Sequence, residues 1–228
     1  MNTNQIYTKG SNLYDTVLFD LDGTLTNPKK GITKSVQYAL SAFGITSKPD
    51  ELVSFIGPPL RDSFKQSYKM TQKDIEKAIT KYREYYTAKG IFDNKLYAGV
   101  VDMIEKLKMN NKTLILATSK PTVFANQILK HFELDKYFDF VSGSELDGSR
   151  DAKAEVIDHA LKSMNLKPTQ SMVMVGDRKH DIIGAKAHRL KSIGVLYGYG
   201  SKQELQNAGA DIIVNSIEEL KNMLVLSS

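Results

Sequence analysis

The chain has 228 residues, 41% hydrophobic and 25% charged, a balance that supports a buried core and excludes disordered and collagen-like chains. It has no cysteine, which rules out disulfides, zinc-thiolate sites and thiol catalysis and leaves oxygen ligands for any metal. The net charge of +5 favours anionic ligands in general, but no compact basic run marks a nucleic-acid polymer as a partner.

Residues Met1 to Asn12 are polar and carry no apolar signal core, and no apolar run is long enough to span a bilayer. The expectation is a poorly ordered tail on a cytoplasmic protein without a membrane partner.

The first strand signal is Thr16-Val17-Leu18-Phe19, an apolar run that stops at Asp20-Leu21-Asp22-Gly23-Thr24. Such a run reads as a strand buried on both faces that delivers carboxylates to a turn. From Thr26 to Lys95 the pattern becomes helical, without a convincing strand. Ile32, Val36, Ala39, Leu40 and Phe43 make one stripe; Leu60, Phe64 and Tyr68 follow the break at Gly57-Pro58-Pro59; Ile75, Ala78, Ile79 and Tyr82 make a third.

Beyond this segment strands alternate with helices. Strand-like runs fall at Thr113 to Ala117, Phe138 to Val141, Met172 to Val175, Ser192 to Leu196 and Asp211 to Val214, separated by helical stripes such as Val100, Ile104 and Leu107. This alternation predicts an α/β fold: a Rossmann-like, doubly wound parallel sheet with an inserted all-helical domain. The expected core is 13–25 with 96–228, the helical cap 26–95, and the tail 1–12, with linkers near Thr26 to Lys30 and Asn94 to Gly99.

In a parallel sheet the carboxyl ends of the strands share one crevice. The first strand delivers Asp20 and Asp22 there; the run ending at Ala117 delivers Thr118-Ser119-Lys120; Val173-Met174-Val175 delivers Gly176-Asp177, with Asp181 four residues on; and Lys153 opens the preceding helix. Up to four carboxylates in one crevice raise each other's pKa, and a hard divalent cation resolves the conflict. The oxygen-only set points to Mg2+.

These segments, in this order, resemble the four motifs of the haloacid dehalogenase superfamily, and the helical insert resembles that family's C1-type cap. The resemblance spans about Val17 to Val214. It implies a phosphatase in which Asp20 attacks phosphorus and Asp22 serves as acid and then base. Asp20, Asp177 and the backbone carbonyl of Asp22 would hold Mg2+, with Asp181 acting through water or as support. The turn at Gly23 and Thr24, with Thr118, Ser119 and Lys153, would receive the phosphoryl oxygens.

An aspartate at position 22 sets the chain apart from true dehalogenases, which lack that acid. Gly143-Ser144-Glu145-Leu146-Asp147-Gly148 and Gly194 to Gly200 are similar to the branch of phosphoglycolate phosphatases and 5'-nucleotidases. The implied substrate is a small phosphorylated metabolite, a nucleotide or a phosphorylated acid, handled by a monomer or weak dimer.

Each residue also has a plainer reading. Asp20 and Asp22 suit a turn, Asp177 a helix cap, Asp181 the first turn of a helix, Thr118 a cap for the helix after it and Lys153 a solvated helix start. Arg61, after Gly57-Pro58-Pro59-Leu60, either reaches an anionic part of the substrate or lies on the surface. Tyr82, Tyr85 and Tyr86 read as cap packing, and the four histidines show no metal-ligand spacing. A phosphomutase, or a non-catalytic phosphate-binding protein, are the competing functional readings.

Overall fold

The computed structural model describes residues 13–225; the tail expected at Met1 to Asn12 lies outside them. The main sheet contains β1 (Thr16–Phe19), β4 (Thr113–Pro121), β5 (Phe140–Ser144), β6 (Met172–Gly176), β7 (Lys191–Val195) and β8 (Ile212–Val214). Their order is β5-β4-β1-β6-β7-β8, and every neighbouring pair is parallel. β1 therefore lies between β4 and β6, and the order of connection reverses beside it, where parallel sheets open a crevice.

Alternation along β1 divides its residues between two cores. Val17 and Phe19 join Leu114, Leu116, Val173 and Val175 on one face, while Leu18 joins Ile115, Ala117 and Met174 on the other. The first face packs on α4 (Val100–Met109), α5 (Thr122–His131) and the helix Ile217–Val225, through residues such as Ile104, Ile128 and Leu220. The second is covered by α6 (Lys153–Ser163) and α7 (Lys179–Ala187), through Val156, Ile157, Ala160 and Ala185. Each side chain buried this way contributes about 1.5–3 kcal/mol, so both layers hold the central strands in register.

The helical insert contains α1 (Lys29–Ser41), a 3-10 turn at Pro49–Phe55, α2 (Leu60–Tyr68) and α3 (Gln72–Ala88). Thr71 caps α3 by accepting a bond from the Asp74 amide at 3.3 Å. α2 ends on Lys69, in the left-handed region at φ 50°. One apolar cluster runs from the insert, through Phe64, Ile79 and Tyr86, to the sheet residues Phe19 and Leu116.

Three details differ from the sequence-based reading. The linkers contain two short strands, β2 (Thr26–Asn27) and β3 (Lys95–Leu96), paired antiparallel in the register Thr26 to Leu96 and Asn27 to Lys95. Two-residue strands leave no periodicity to read. The strand expected from Phe138 begins at Phe140, because the Asp139 carboxylate takes the Leu114 amide at 2.8 Å where a strand carbonyl would. β4 runs on through Thr118 to Pro121, so Thr118 lies in a strand and α5 starts only at Thr122.

Candidate active site

β1 ends at Phe19, and the next turn places Asp20 and Asp22 at the carboxyl edge of the sheet; both are buried. Asp20 takes its amide bond to the Val175 carbonyl at 2.9 Å, which ties the turn to the strand that delivers Asp177. Carboxylate oxygens of Asp20, Asp177 and Asp181 lie within 4.8 Å of one another, and all three residues are buried.

Two glycines permit this approach. Gly23 has φ +92°, and a Cβ there would sit 2.2 Å from Asp177 Oδ2; at Gly198 a Cβ would sit 2.4 Å from Asp177 Cβ. The Tyr199 amide donates to Asp177 Oδ2 at 2.7 Å. Asp177 Oδ1 is buried without a hydrogen-bond partner among the described residues.

Lys153 is the counter-charge. Its ammonium lies 2.7 Å from Asp20 Oδ1 and 2.8 Å from Asp181 Oδ1, and it donates to the Ala117 carbonyl at 2.8 Å. Two of these contacts are hydrogen bonds, to Asp20 and Ala117, and the contact with Asp181 is an ion pair. Gly184 makes room, since a Cβ there would stand 2.8 Å from Lys153 Cγ. Asp181 Oδ2 also accepts the Arg178 amide at 3.0 Å, so it caps α7 and faces the site at once.

Burial, followed by the Asp181 and Asp20 charges, pushes Asp177 well above the ordinary carboxylate range. Burial also raises Asp181, to about 6, against the pull of Lys153. Burial opposes the Lys153 charge, but Asp181 and Asp20 outweigh it and keep the ammonium protonated. One ammonium faces three carboxylates, and an oxygen of Asp177 lacks any donor. That surplus of negative charge and hard oxygen donors fits a hard divalent cation.

Asp22 stands apart from this cluster. Its Oδ2 lies 2.6 Å from Lys120 Nζ, and Oδ1 accepts from Thr26 Oγ1 at 3.5 Å. Burial pushes Asp22 up, while the charge and hydrogen bond of Lys120 pull it down. Its side chain is therefore directed to Lys120 and not to the three clustered carboxylates, which leaves only its backbone for the metal ligation expected of this residue.

A cavity of about 100 Å3 opens above Asp20 and Asp22. Thr118, Ser119 and Lys120 line it from the core, and Arg61, Tyr82, Arg83 and Tyr86 from the insert. Thr118 Oγ1 accepts the Lys120 amide at 3.3 Å, which leaves its hydroxyl hydrogen free to donate.

Gly23 and Thr24 do not line this cavity. The Gly23 amide is bonded to the Thr26 carbonyl at 2.7 Å, and Thr24 is fully buried. Arg61 reaches the cavity, but its guanidinium forms a two-pronged ion pair with Glu76.

Sequence reasoning brought Lys120 to the crevice without a role, read Tyr86 as packing, and did not single out Arg83; all three line the cavity. Lys120 Nζ donates to the Tyr86 hydroxyl at 2.8 Å and lies over that ring, 4.9 Å from its centroid. Tyr82 and Tyr86 stack at 5.3 Å, so these tyrosines of the helical insert both pack and face the cavity. The available signal was the position of Lys120, two residues after Thr118 at the end of one strand. A lone lysine there reads as solvated until the fold buries it.

The profile of the family described as haloacid dehalogenase-like hydrolase matches residues 17–195. A 5'-nucleotidase of Pseudomonas aeruginosa is 45% identical over 85% of this chain and 87% of its own length. The tyrosine-protein kinase PtkA of Mycobacterium tuberculosis is 35% identical over 91% of this chain and 72% of its own. The crystal structure of a protein described as a predicted phosphatase from Clostridium acetobutylicum superposes with a TM-score of 0.91 at 49% identity, covering 94% of this chain and 99% of that one.

Proposed function

The chain belongs to the haloacid dehalogenase-like hydrolases and is a phosphatase of that family, and we propose that it hydrolyses small phosphomonoesters through a phosphoryl group carried on Asp20. The observation that carries this reading is the pairing at the cavity floor: Asp20, held by Lys153 at 2.7 Å, beside Asp22, held by Lys120 at 2.6 Å. Two carboxylates in different environments suit two roles, nucleophile and proton carrier.

In the first step a carboxylate oxygen of Asp20 forms a bond to phosphorus, the bond from phosphorus to the ester oxygen breaks, and protonated Asp22 gives its proton to the leaving alkoxide. In the second, Asp22 takes a proton from water as the water oxygen attacks phosphorus, which frees Asp20 and releases inorganic phosphate. Thr118, whose hydroxyl hydrogen is free to donate, and Lys153, 2.7 Å from Asp20, would supply a hydroxyl and a positive charge to a phosphoryl oxygen. Asp20, Asp177 and Asp181, with the backbone of Asp22, would hold Mg2+. When bound, the ion offsets the charge of the transferring phosphoryl group.

On this reading residues 26–95 form a cap that shields the site from bulk water and chooses the leaving group. The substrate is then a nucleoside monophosphate or a small phosphorylated acid. Acid quenching during turnover of a 32P-labelled substrate tests the proposal. The wild type should retain a hydroxylamine-sensitive label that Asp20→Asn lacks, and free phosphate should accumulate. Label on Asp20→Asn would sink the nucleophile assignment, and transfer to a second hydroxyl without free phosphate would favour a mutase.

A further inference from the structure

The insert contributes two guanidiniums to the cavity, and their situations differ. Arg61 is committed: both oxygens of Glu76 are bonded to it, and Asp151 and Asp147 add to the negative field around it. Arg83 is not. Its one hydrogen bond, from Nη2 to the Leu146 carbonyl at 2.6 Å, engages a single donor of five, and no carboxylate pairs with it among the described residues.

Its position is fixed by helical spacing. Ile79, Tyr82, Arg83 and Tyr86 fall on one face of α3, and all four line the cavity that holds Asp20 and Asp22. The anchor on Leu146 holds the guanidinium between the cap and the loop after β5. Burial and the neighbouring Arg61 work against its charge and outweigh the support of the Glu76 carboxylate, which is bonded to Arg61, so an incoming anion would relieve an existing cost.

We propose that Arg83 is a specificity-determining residue that binds a carboxylate on the leaving group, so that the preferred substrates are small phosphorylated hydroxy acids. This rests on the phosphatase reading above. The other cations of the cavity are occupied, Lys120 by Asp22 and Arg61 by Glu76, so an additional anion finds its free partner at Arg83. A planar carboxylate matches the remaining fork of donors. The cavity, about 100 Å3, is well below the roughly 300 Å3 at which pockets begin to enclose ligands of drug size, which favours a two- or three-carbon leaving group over a nucleoside.

The test compares kcat/KM for 2-phosphoglycolate with that for ethylene glycol monophosphate, which replaces the carboxylate by a hydroxymethyl group, and with AMP. The wild type should prefer the acid by about tenfold or more, the scale of one charge-assisted contact. Arg83→Gln, which keeps an amide donor for the Leu146 carbonyl, should bring that ratio close to one, and Arg83→Lys should leave it intermediate. Should the Gln variant fail to fold, the Lys variant reads the same ratio.

A wild-type ratio near one, AMP as the better substrate, or a preference that survives in the variants overturns the role of Arg83 and leaves the phosphatase standing. Release of phosphate from none of these esters, nor from an aryl phosphate, overturns the phosphatase reading itself.

Discussion

Lys120 Nζ lies 2.6 Å from Asp22 Oδ2, with both side chains buried, and donates on its other side to the hydroxyl of Tyr86 in α3 of the insert. A lysine from the strand edge thus joins the proton carrier of the proposed reaction to the insert that covers it. Removing either partner of such a pair leaves a buried charge uncompensated.

Lys120→Met should therefore destabilise the protein by about 3 kcal/mol near neutral pH. Burial already raises Asp22, and loss of the ammonium raises it further. The folded variant then holds the Asp22 proton more tightly than the unfolded chain does, so the loss should shrink as pH falls and grow as pH rises through the shifted value. Urea unfolding of both proteins at several pH values measures this; a deficit that does not vary with pH would contradict it.

Asp177 and Asp181 set a second pH dependence. Both are raised in the folded protein, Asp181 to about 6, so metal-free protein should lose stability as pH climbs above the unfolded carboxylate range and on through that value. Mg2+ needs the ionised forms. The rise in Tm caused by Mg2+ over a chelator control should then be larger at about pH 7.5 than at about pH 5.5. An equal shift at both would argue against these carboxylates as the ligands.

Gly23→Ala adds a methyl that would stand 2.2 Å from Asp177 Oδ2 on a residue at φ +92°. The strained backbone and the displaced carboxylate should together cost about 2 kcal/mol or more. Mg2+ affinity should fall about tenfold, since a supporting position has moved. Isothermal titration with Mg2+ gives the second quantity, and wild-type affinity in a destabilised variant would separate the glycine's folding role from the site.

Arg178 bonds the Glu204 carboxylate at 2.9 Å and the Ile56 carbonyl at 2.8 Å, which fastens the stretch before Gly57 to the loop carrying Asp177. Arg178→Met should speed amide hydrogen exchange around residues 52–60 by about tenfold while leaving β6 protected, because only the local opening is made easier. Unchanged exchange in that stretch would show that the latch contributes nothing to holding the insert.

Much of this was legible before any fold was known. A strand that ends in Asp20 and Asp22, another that ends in Gly176-Asp177, and a helix opened by Lys153 each carry a local pattern, and a parallel sheet brings such ends together by its own geometry. The meeting of Asp20, Asp177 and Asp181 within 4.8 Å is what that rule anticipates. The paired linker strands β2 and β3 were invisible because two residues have no period.

The sequence by itself determined the order of strands and helices, the helical insertion and the carboxylates at the strand ends, since hydrophobic period and chain breaks are properties of neighbouring residues. Only the tertiary structure decided which charges are paired: Lys153 with Asp20, 133 residues apart in sequence, Lys120 with Asp22 and Arg61 with Glu76, leaving Arg83 uncommitted in the cavity. Ion pairing acts over a few ångströms in space and weakens steeply in solvent, so partners are set by burial and by the packing of the insert on the sheet, neither of which leaves a periodic trace along the chain.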